Sequence, residues 1–151
     1  VIAVDISEEK LALCKLWGAD AVINVRAVED VAATVKKLTD GKGVEAAVDY
    51  VGSPQTFQTA IDALATAGRA VVIGGTPGTV NVTPINLVLS EKIVTGSRHS
   101  TRAELIETMD IMARGLVKPV ITKRVHFTEV EELFQDLIHE RLIARGAVTY
   151  D

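Results

Sequence analysis

Short apolar blocks alternate with polar punctuation along the first half of the chain, and the spacing inside the blocks switches between two periods. Val1-Ile2-Ala3-Val4 is a continuous run of small or β-branched residues ending at Asp5, which predicts a buried parallel strand. Ser7-Glu8-Glu9 follows as a cap with two acids in a first turn. It predicts a helix to about Gly18, with Leu13, Leu16 and Trp17 able to share one face. Ala21 to Val25 reads as a strand, and Val28, Val31, Ala32, Val35 and Leu38 fall at helical spacing before Asp40-Gly41-Lys42-Gly43. Val44 to Tyr50 is a strand stopped by Gly52, and Ser53-Pro54 opens a helix whose inner face is Phe57, Ala60, Ile61 and Leu64. Gly68 is the predicted end of that helix, and Arg69 to Ile73 is a strand running into Gly74-Gly75.

This strand–helix alternation with short joints predicts an α/β fold, a doubly wound parallel sheet with helices on both faces. Thr76 to Val82 reads as a loop, Pro84 to Leu89 as a short helix and Glu91 to Ser97 as a further strand. Beyond this point the rhythm changes. Thr101-Arg102-Ala103-Glu104 is a capping box before a helix carrying Leu105, Met109, Met112 and Leu116 on one face, where the methionines read as core filler. Gly115 ends it, and Val117 to Ile121 is extended. Thr128-Glu129-Val130-Glu131 reads as a second capping box, leading a helix with Val130, Leu133, Phe134 and Leu137 inward. Ala147 to Tyr150 is a closing strand.

Composition narrows the function classes. A hydrophobic fraction of 48% over 151 residues is enough for one real core, and a net charge of −4 gives no electrostatic footprint for nucleic acid. Cys14 is the sole cysteine, which excludes an internal disulfide framework and a cysteine-rich zinc site and fits a reducing cytoplasm. No apolar run reaches the roughly 20 residues of a membrane span. Catalytic side chains are sparse. His99, His126 and His139 lack metal-ligand spacing, and no nucleophile elbow surrounds Ser97 or Ser100. Asp49 ends a strand, as acids that cap the next helix do. Gly52 and Gly74 each follow a strand's carboxyl end, where ligands bind in open α/β sheets, though turn chemistry alone also places glycine there. Arg145 precedes the last strand, where a guanidinium could pair with phosphate oxygens or stand as a surface cation. Asp5, taken alone, is a cap or surface acid as readily as a ribose ligand.

Several strings together carry a resemblance: Val4-Asp5 with Lys10, Trp17-Gly18-Ala19-Asp20, Thr39-Asp40-Gly41-Lys42-Gly43-Val44 and Asp49-Tyr50-Val51-Gly52. Gly68-Arg69-Ala70-Val71-Val72-Ile73-Gly74, Gly115-Leu116-Val117-Lys118-Pro119 and Arg145-Gly146-Ala147-Val148 continue it in order. The chain resembles the carboxyl-terminal part of the medium-chain, zinc-dependent alcohol dehydrogenases. The resemblance implies a Rossmann-like sheet entered at its second strand, with the first strand and the glycine-rich turn upstream of Val1. Residues 1–116 would be a partial dinucleotide-binding domain. Residues 117–151 would be a segment that packs with a catalytic domain. Expressed alone, the chain is expected to fold poorly or to rearrange.

The implied activity is NAD-dependent hydride transfer between an alcohol and the nicotinamide, with this chain supplying cofactor binding and no catalytic or metal-ligating residue. The resemblance places Asp5 on the adenosine ribose, which favours NAD over NADP, with Lys10 assisting. Val51 and Gly52 would line the groove. Ile73, Gly74, Ser97 and His99 would lie along the nicotinamide side, and Arg145 would reach the pyrophosphate. Zinc would be held by residues upstream. An alcohol or carbonyl compound is the implied substrate. A homodimer or homotetramer is implied, paired along the Glu91–Ser97 strand. Three alternatives remain from the residues themselves: a zinc-independent quinone or enoyl reductase, an S-adenosylmethionine-dependent methyltransferase whose second strand also ends in a ribose-binding acid, and a non-catalytic nucleotide sensor.

Overall fold

A computed structural model describes all 151 residues. Its elements are β1 (Ile2–Asp5), α1 (Glu8–Leu16), β2 (Ala21–Asn24), α2 (Val31–Leu38), β3 (Val44–Asp49), α3 (Pro54–Asp62) and β4 (Leu64–Val72). They continue with α4 (Pro84–Ser90), β5 (Ile93–Gly96), α5 (Arg102–Ala113), β6 (Ile121–His126), α6 (Val130–Ile138) and β7 (Arg145–Thr149). The alternation read from the sequence is the observed fold class, and every ladder is parallel.

The strands fall into three groups: β1 beside β2, β3–β4–β5 in chain order, and β6 beside β7. No ladder joins β1 to β3. In a dinucleotide sheet of order 3-2-1-4-5-6 the corresponding strands are not neighbours either, because the first strand runs between them. Side chains nevertheless tie the two groups at their amino ends. Ile2 of β1 and Val44 of β3 both pack on the buried cluster Ile23, Ala32, Val35 and Ala63. Val44 also touches a second cluster, Phe57, Ile61, Leu64 and Ala70, which seals α3 onto β4.

Capping fixes most helix boundaries. Ser7 and Asp30 accept N–H bonds from Lys10 and Ala33. Ser53 and Thr56 form a reciprocal capping box with Pro54 in the first turn, and Thr101 and Glu104 form another. At the far end of α5, the N–H groups of Gly115 and Leu116 donate to the carbonyls of Met112 (2.9 Å) and Ile111 (3.2 Å), a Schellman arrangement.

Other local expectations are corrected. Helix α3 stops at Asp62, six residues before Gly68. Leu64 already pairs with Val44, and the register then jumps to Ala46 opposite Arg69, so Ala65 to Gly68 bulge out of the ladder with Ala67 at φ +59°. In α1 the buried residue is Leu11, while Leu16 and Trp17 are exposed. The second capping box does not form. Glu129 stands at the N-cap of α6 without a side-chain bond, because the Thr128 hydroxyl pairs with His126 Nδ1 at 2.8 Å. Only Leu133 of α6 is buried; Phe134 and Leu137 are about half exposed. Helix α5 has no buried residue, and Met109, read as core filler, is 58% exposed. Strand β6 begins at Ile121, the last residue of the segment read as extended, and runs to His126, while residues 117–120 belong to no strand.

Candidate functional site

The carboxyl ends of β1, β3, β4 and β5 carry most of the candidate residues, as the connection rule for parallel sheets requires. At the end of β1, Asp5 Oδ1 accepts the Ser7 N–H at 2.8 Å. This local turn orients the carboxylate and leaves Oδ2 free to accept from a diol. Next to it lies a groove of about 580 Å³, lined by Ile6 to Lys10, Asn24, Arg26 and residues 140–143. Asn24, the last residue of β2, donates from its amide to Glu8 and so ties the β2 end to the first turn of α1. Lys10, Arg26 and Arg141 supply positive charge to the groove, and Glu8, Glu9 and Glu140 oppose it.

The groove's far wall is built by residues 140–143, the segment that follows α6. Asp136, on that helix, accepts from Lys123 Nζ at 2.6 Å and from Arg141 Nε at 2.8 Å. Lys123 and then Arg141 hold the Asp136 carboxyl below its ordinary value of 3.8. Asp136, with Glu132 behind it, holds Lys123 above its ordinary 10.5. The helix ends with Glu140 at φ +55° and the Arg141 N–H on the Asp136 carbonyl at 2.9 Å. Arg145, at the first position of β7, is exposed and stands two residues beyond Ile143 of the groove wall.

The ends of β3 and β4 form the second half of the site, and Asp49 organises it. Its side chain is 7% exposed. Oδ1 accepts the N–H groups of Val51 (2.9 Å) and Gly52 (3.1 Å), and Oδ2 accepts the Thr56 hydroxyl at 2.8 Å. The Asp49 carbonyl accepts the N–H groups of Ile73 (2.8 Å) and Gly74 (3.3 Å) across the sheet. The two turns are also locked sterically. A Cβ on Gly52, which sits at φ +66°, would lie 2.0 Å from the Gly74 carbonyl oxygen. One on Gly74 would lie 2.3 Å from that of Tyr50. The glycines are therefore required by the approach of one turn to the other. Beyond them, the Ser97 N–H donates to the Val72 carbonyl at 2.9 Å. His99 is exposed at φ +54°.

The structure thus gathers Val51 and Gly52 on the carboxylate of Asp49 and Ile73 and Gly74 on its carbonyl, and sets Lys10 in the lining of the groove with Asp5 adjoining it. Sequence reading treated Asp49 as a cap and did not single out Thr56, Arg141, Asn24 or Arg26. The legible signal was an acid ending a strand with a threonine seven residues on, at the third position of the next helix. No group of three or more His, Cys, Asp or Glu side chains is placed to hold a metal ion, so the residues present do not fit a zinc site. They are compatible with a dinucleotide, because the carboxylate that ends β1 is oriented by the Ser7 N–H and keeps a second acceptor oxygen, the chemistry a ribose diol needs.

Comparison with known proteins shows the family to which the chain is similar. Residues 1–114 match the family described as zinc-binding dehydrogenase. An NAD-dependent alcohol dehydrogenase of Saccharolobus solfataricus is 32% identical over 145 residues, which cover 96% of this chain and 42% of that protein. The crystal structure of the alcohol dehydrogenase from Aeropyrum pernix superposes with a TM-score of 0.86 at 31% identity, over 97% of this chain and 41% of that one. The crystal structure of AibC superposes with a TM-score of 0.88 at 35% identity, over 99% and 41%.

Proposed function

The chain belongs to the zinc-binding dehydrogenase family, and we propose that it is the cofactor-binding part of an NAD-dependent alcohol dehydrogenase. The observation that carries the reading is Asp5. It is a carboxylate at the carboxyl end of a parallel strand, with one oxygen held by the Ser7 N–H and the other left for a ribose hydroxyl. A phosphate on that ribose would be repelled there, so the site prefers NAD to NADP.

Asp5 and Lys10 bind the adenosine ribose, and Arg145 bears on the pyrophosphate. Val51, Gly52, Ile73, Gly74, Ser97 and His99 flank the nicotinamide half. When bound, NAD supplies the hydride acceptor for alcohol oxidation. The chain's own residues orient the dinucleotide. No step is assigned to zinc, since this chain holds no residues that fit it. Residues 1–116 form the cofactor-binding part, and residues 117–151 pack against a catalytic domain. The chain spans 42% of the length of its Saccharolobus relative, so turnover is a property of a longer polypeptide. A small alcohol or carbonyl compound is the substrate. A cytoplasmic homo-oligomer is expected, paired along β5, whose Ile93 and Val94 are exposed at the sheet edge. No helix is long and apolar enough to cross a membrane.

Calorimetric titration of the full natural polypeptide with NADH tests the reading. NADH is expected to bind, more tightly than NADPH, and Asp5→Ala is expected to weaken it about tenfold or more, the loss of a charged hydrogen-bond acceptor. Binding of S-adenosylmethionine in place of NADH would overturn it.

A further inference from the structure

We infer that Asp49 is a positioning residue for the nicotinamide-bearing half of a bound dinucleotide, holding the turns after β3 and β4 in a single arrangement. The inference rests on the NAD-binding reading above and adds a residue to it. One residue satisfies both turns at once. Its side chain takes the N–H groups of Val51 and Gly52, and its carbonyl takes those of Ile73 and Gly74. Its second carboxylate oxygen is fixed by the hydroxyl of Thr56 in the first turn of α3, so the carboxylate cannot rotate without breaking that bond. The steric interlock of Gly52 with Gly74 then makes any shift of one turn a shift of the other.

These bonds also decide which part of the ligand belongs here. Phosphate oxygens need donors, and the turn N–H groups of Val51, Gly52, Ile73 and Gly74 are all consumed by Asp49. The turns therefore offer a ligand carbonyl oxygens and apolar surface, which suit a heterocycle with donor groups or its ribose and not the anionic pyrophosphate. Asp5, at the end of the separate β1–β2 pair, and Lys10, on α1, serve the opposite end. A ligand that is only an adenosine monophosphate reaches the Asp5 end alone, whereas a dinucleotide spans both. Asp49 therefore affects the second and not the first.

The experiment is calorimetric titration of the full natural polypeptide, wild type, Asp49→Asn and Asp49→Ala, with NADH and separately with AMP. Asparagine keeps an acceptor for Val51 and Gly52 but loses the charge and one acceptor oxygen. It is expected to weaken NADH about three- to tenfold. Alanine is expected to weaken NADH by about tenfold or more. AMP affinity stays within about twofold of wild type in both, a split that a merely structural role would not produce. Should the alanine variant fail to fold, the near-isosteric asparagine variant decides alone. NADH bound as tightly by Asp49→Asn as by wild type would overturn the inference, and so would NADH and AMP weakened in proportion. Wild-type protein that binds neither ligand would overturn the NAD reading itself, and this inference with it.

Discussion

In the β3–α3–β4 unit, Phe57, Ile61, Leu64 and Ala70 are buried together, with Ala70 at 0% exposure; in α5, a longer helix with a complete capping box, no residue is buried. Both helices start on a reciprocal box, Ser53 with Thr56 in one and Thr101 with Glu104 in the other. Both carry apolar residues at helical spacing. They differ in what lies against that face. The ladder of β3 and β4 gives α3 a surface to cover, whereas Leu105, Ile106 and Met109 of α5 are each more than half exposed. Caps and periodicity decide where a helix forms, and a packing partner decides whether its apolar face contributes to stability.

The largest expected contrast is therefore between matched truncations. Ile61→Ala removes a side chain from a closed cluster and is expected to cost about 2–5 kcal/mol, the range for large-to-small changes in cores. Met109→Ala on α5 is expected to stay within about 0.5 kcal/mol, as an exposed substitution does. Denaturant unfolding of the two variants beside wild type measures both. A Met109 variant as damaging as the Ile61 variant would break the comparison, and would show that α5 is covered in solution.

A second contrast uses two glycines with nearly the same backbone conformation, Gly52 at φ +66° and Gly115 at φ +72°. Alanine at either pays the left-handed penalty of about 1–2 kcal/mol. At Gly115 nothing lies within 4 Å of the added Cβ, so the cost ends there. At Gly52 the Cβ meets the Gly74 carbonyl at 2.0 Å, and overpacking adds about 1–3 kcal/mol. The Gly52 variant is also expected to lose NADH affinity while the Gly115 variant keeps it. Equal melting temperatures for the two would remove the case for a locked pair of turns.

What the sequence made legible follows the same divide. Alternating blocks and side-chain caps announced the parallel α/β fold, and Ser53-Pro54 and Thr101-Glu104 marked their helices correctly, because a cap is a contact between residues three apart. The end of α3 was misread because its stop, at Ala63, carries no glycine or proline, while the visible Gly68 serves a bulge in the following strand. Thr128 resembled a cap but bonds His126, a competition between two near neighbours that spacing alone does not rank. The exposure of α5 was illegible because burial depends on a distant surface, which helical spacing does not report. Asp5 was singled out by its place at a strand's end, and the resemblance, not the residue alone, gave it the ribose role. The bonding of Asp49 was not legible, since its bonds to Ile73 and Gly74 cross the sheet from a strand more than 20 residues on.

The smallest effect separates the regions by pH. The Glu104 carboxyl is held below its ordinary value of 4.5 first by the Thr101 N–H and then by the Thr101 hydroxyl. A depressed folded-state value means that this cap contributes fully above the unfolded value and is lost as pH falls through the folded one. Acidification below about pH 4.5 is therefore expected to loosen the first turn of α5 more than that of α3, whose capping box is closed between Ser53 and Thr56 without a carboxylate of its own. Amide exchange at Leu105 and at Phe57, which donate to the Thr101 and Ser53 carbonyls respectively, reports the two first turns side by side. Exchange at Leu105 should accelerate on acidification relative to Phe57, after correction for the intrinsic pH dependence. Glu104→Gln should abolish that difference, since it removes the titrating carboxyl that accepts the Thr101 N–H and hydroxyl. A constant ratio across the titration would mean that Glu104 does not secure α5, and that its first turn persists on backbone propensity alone.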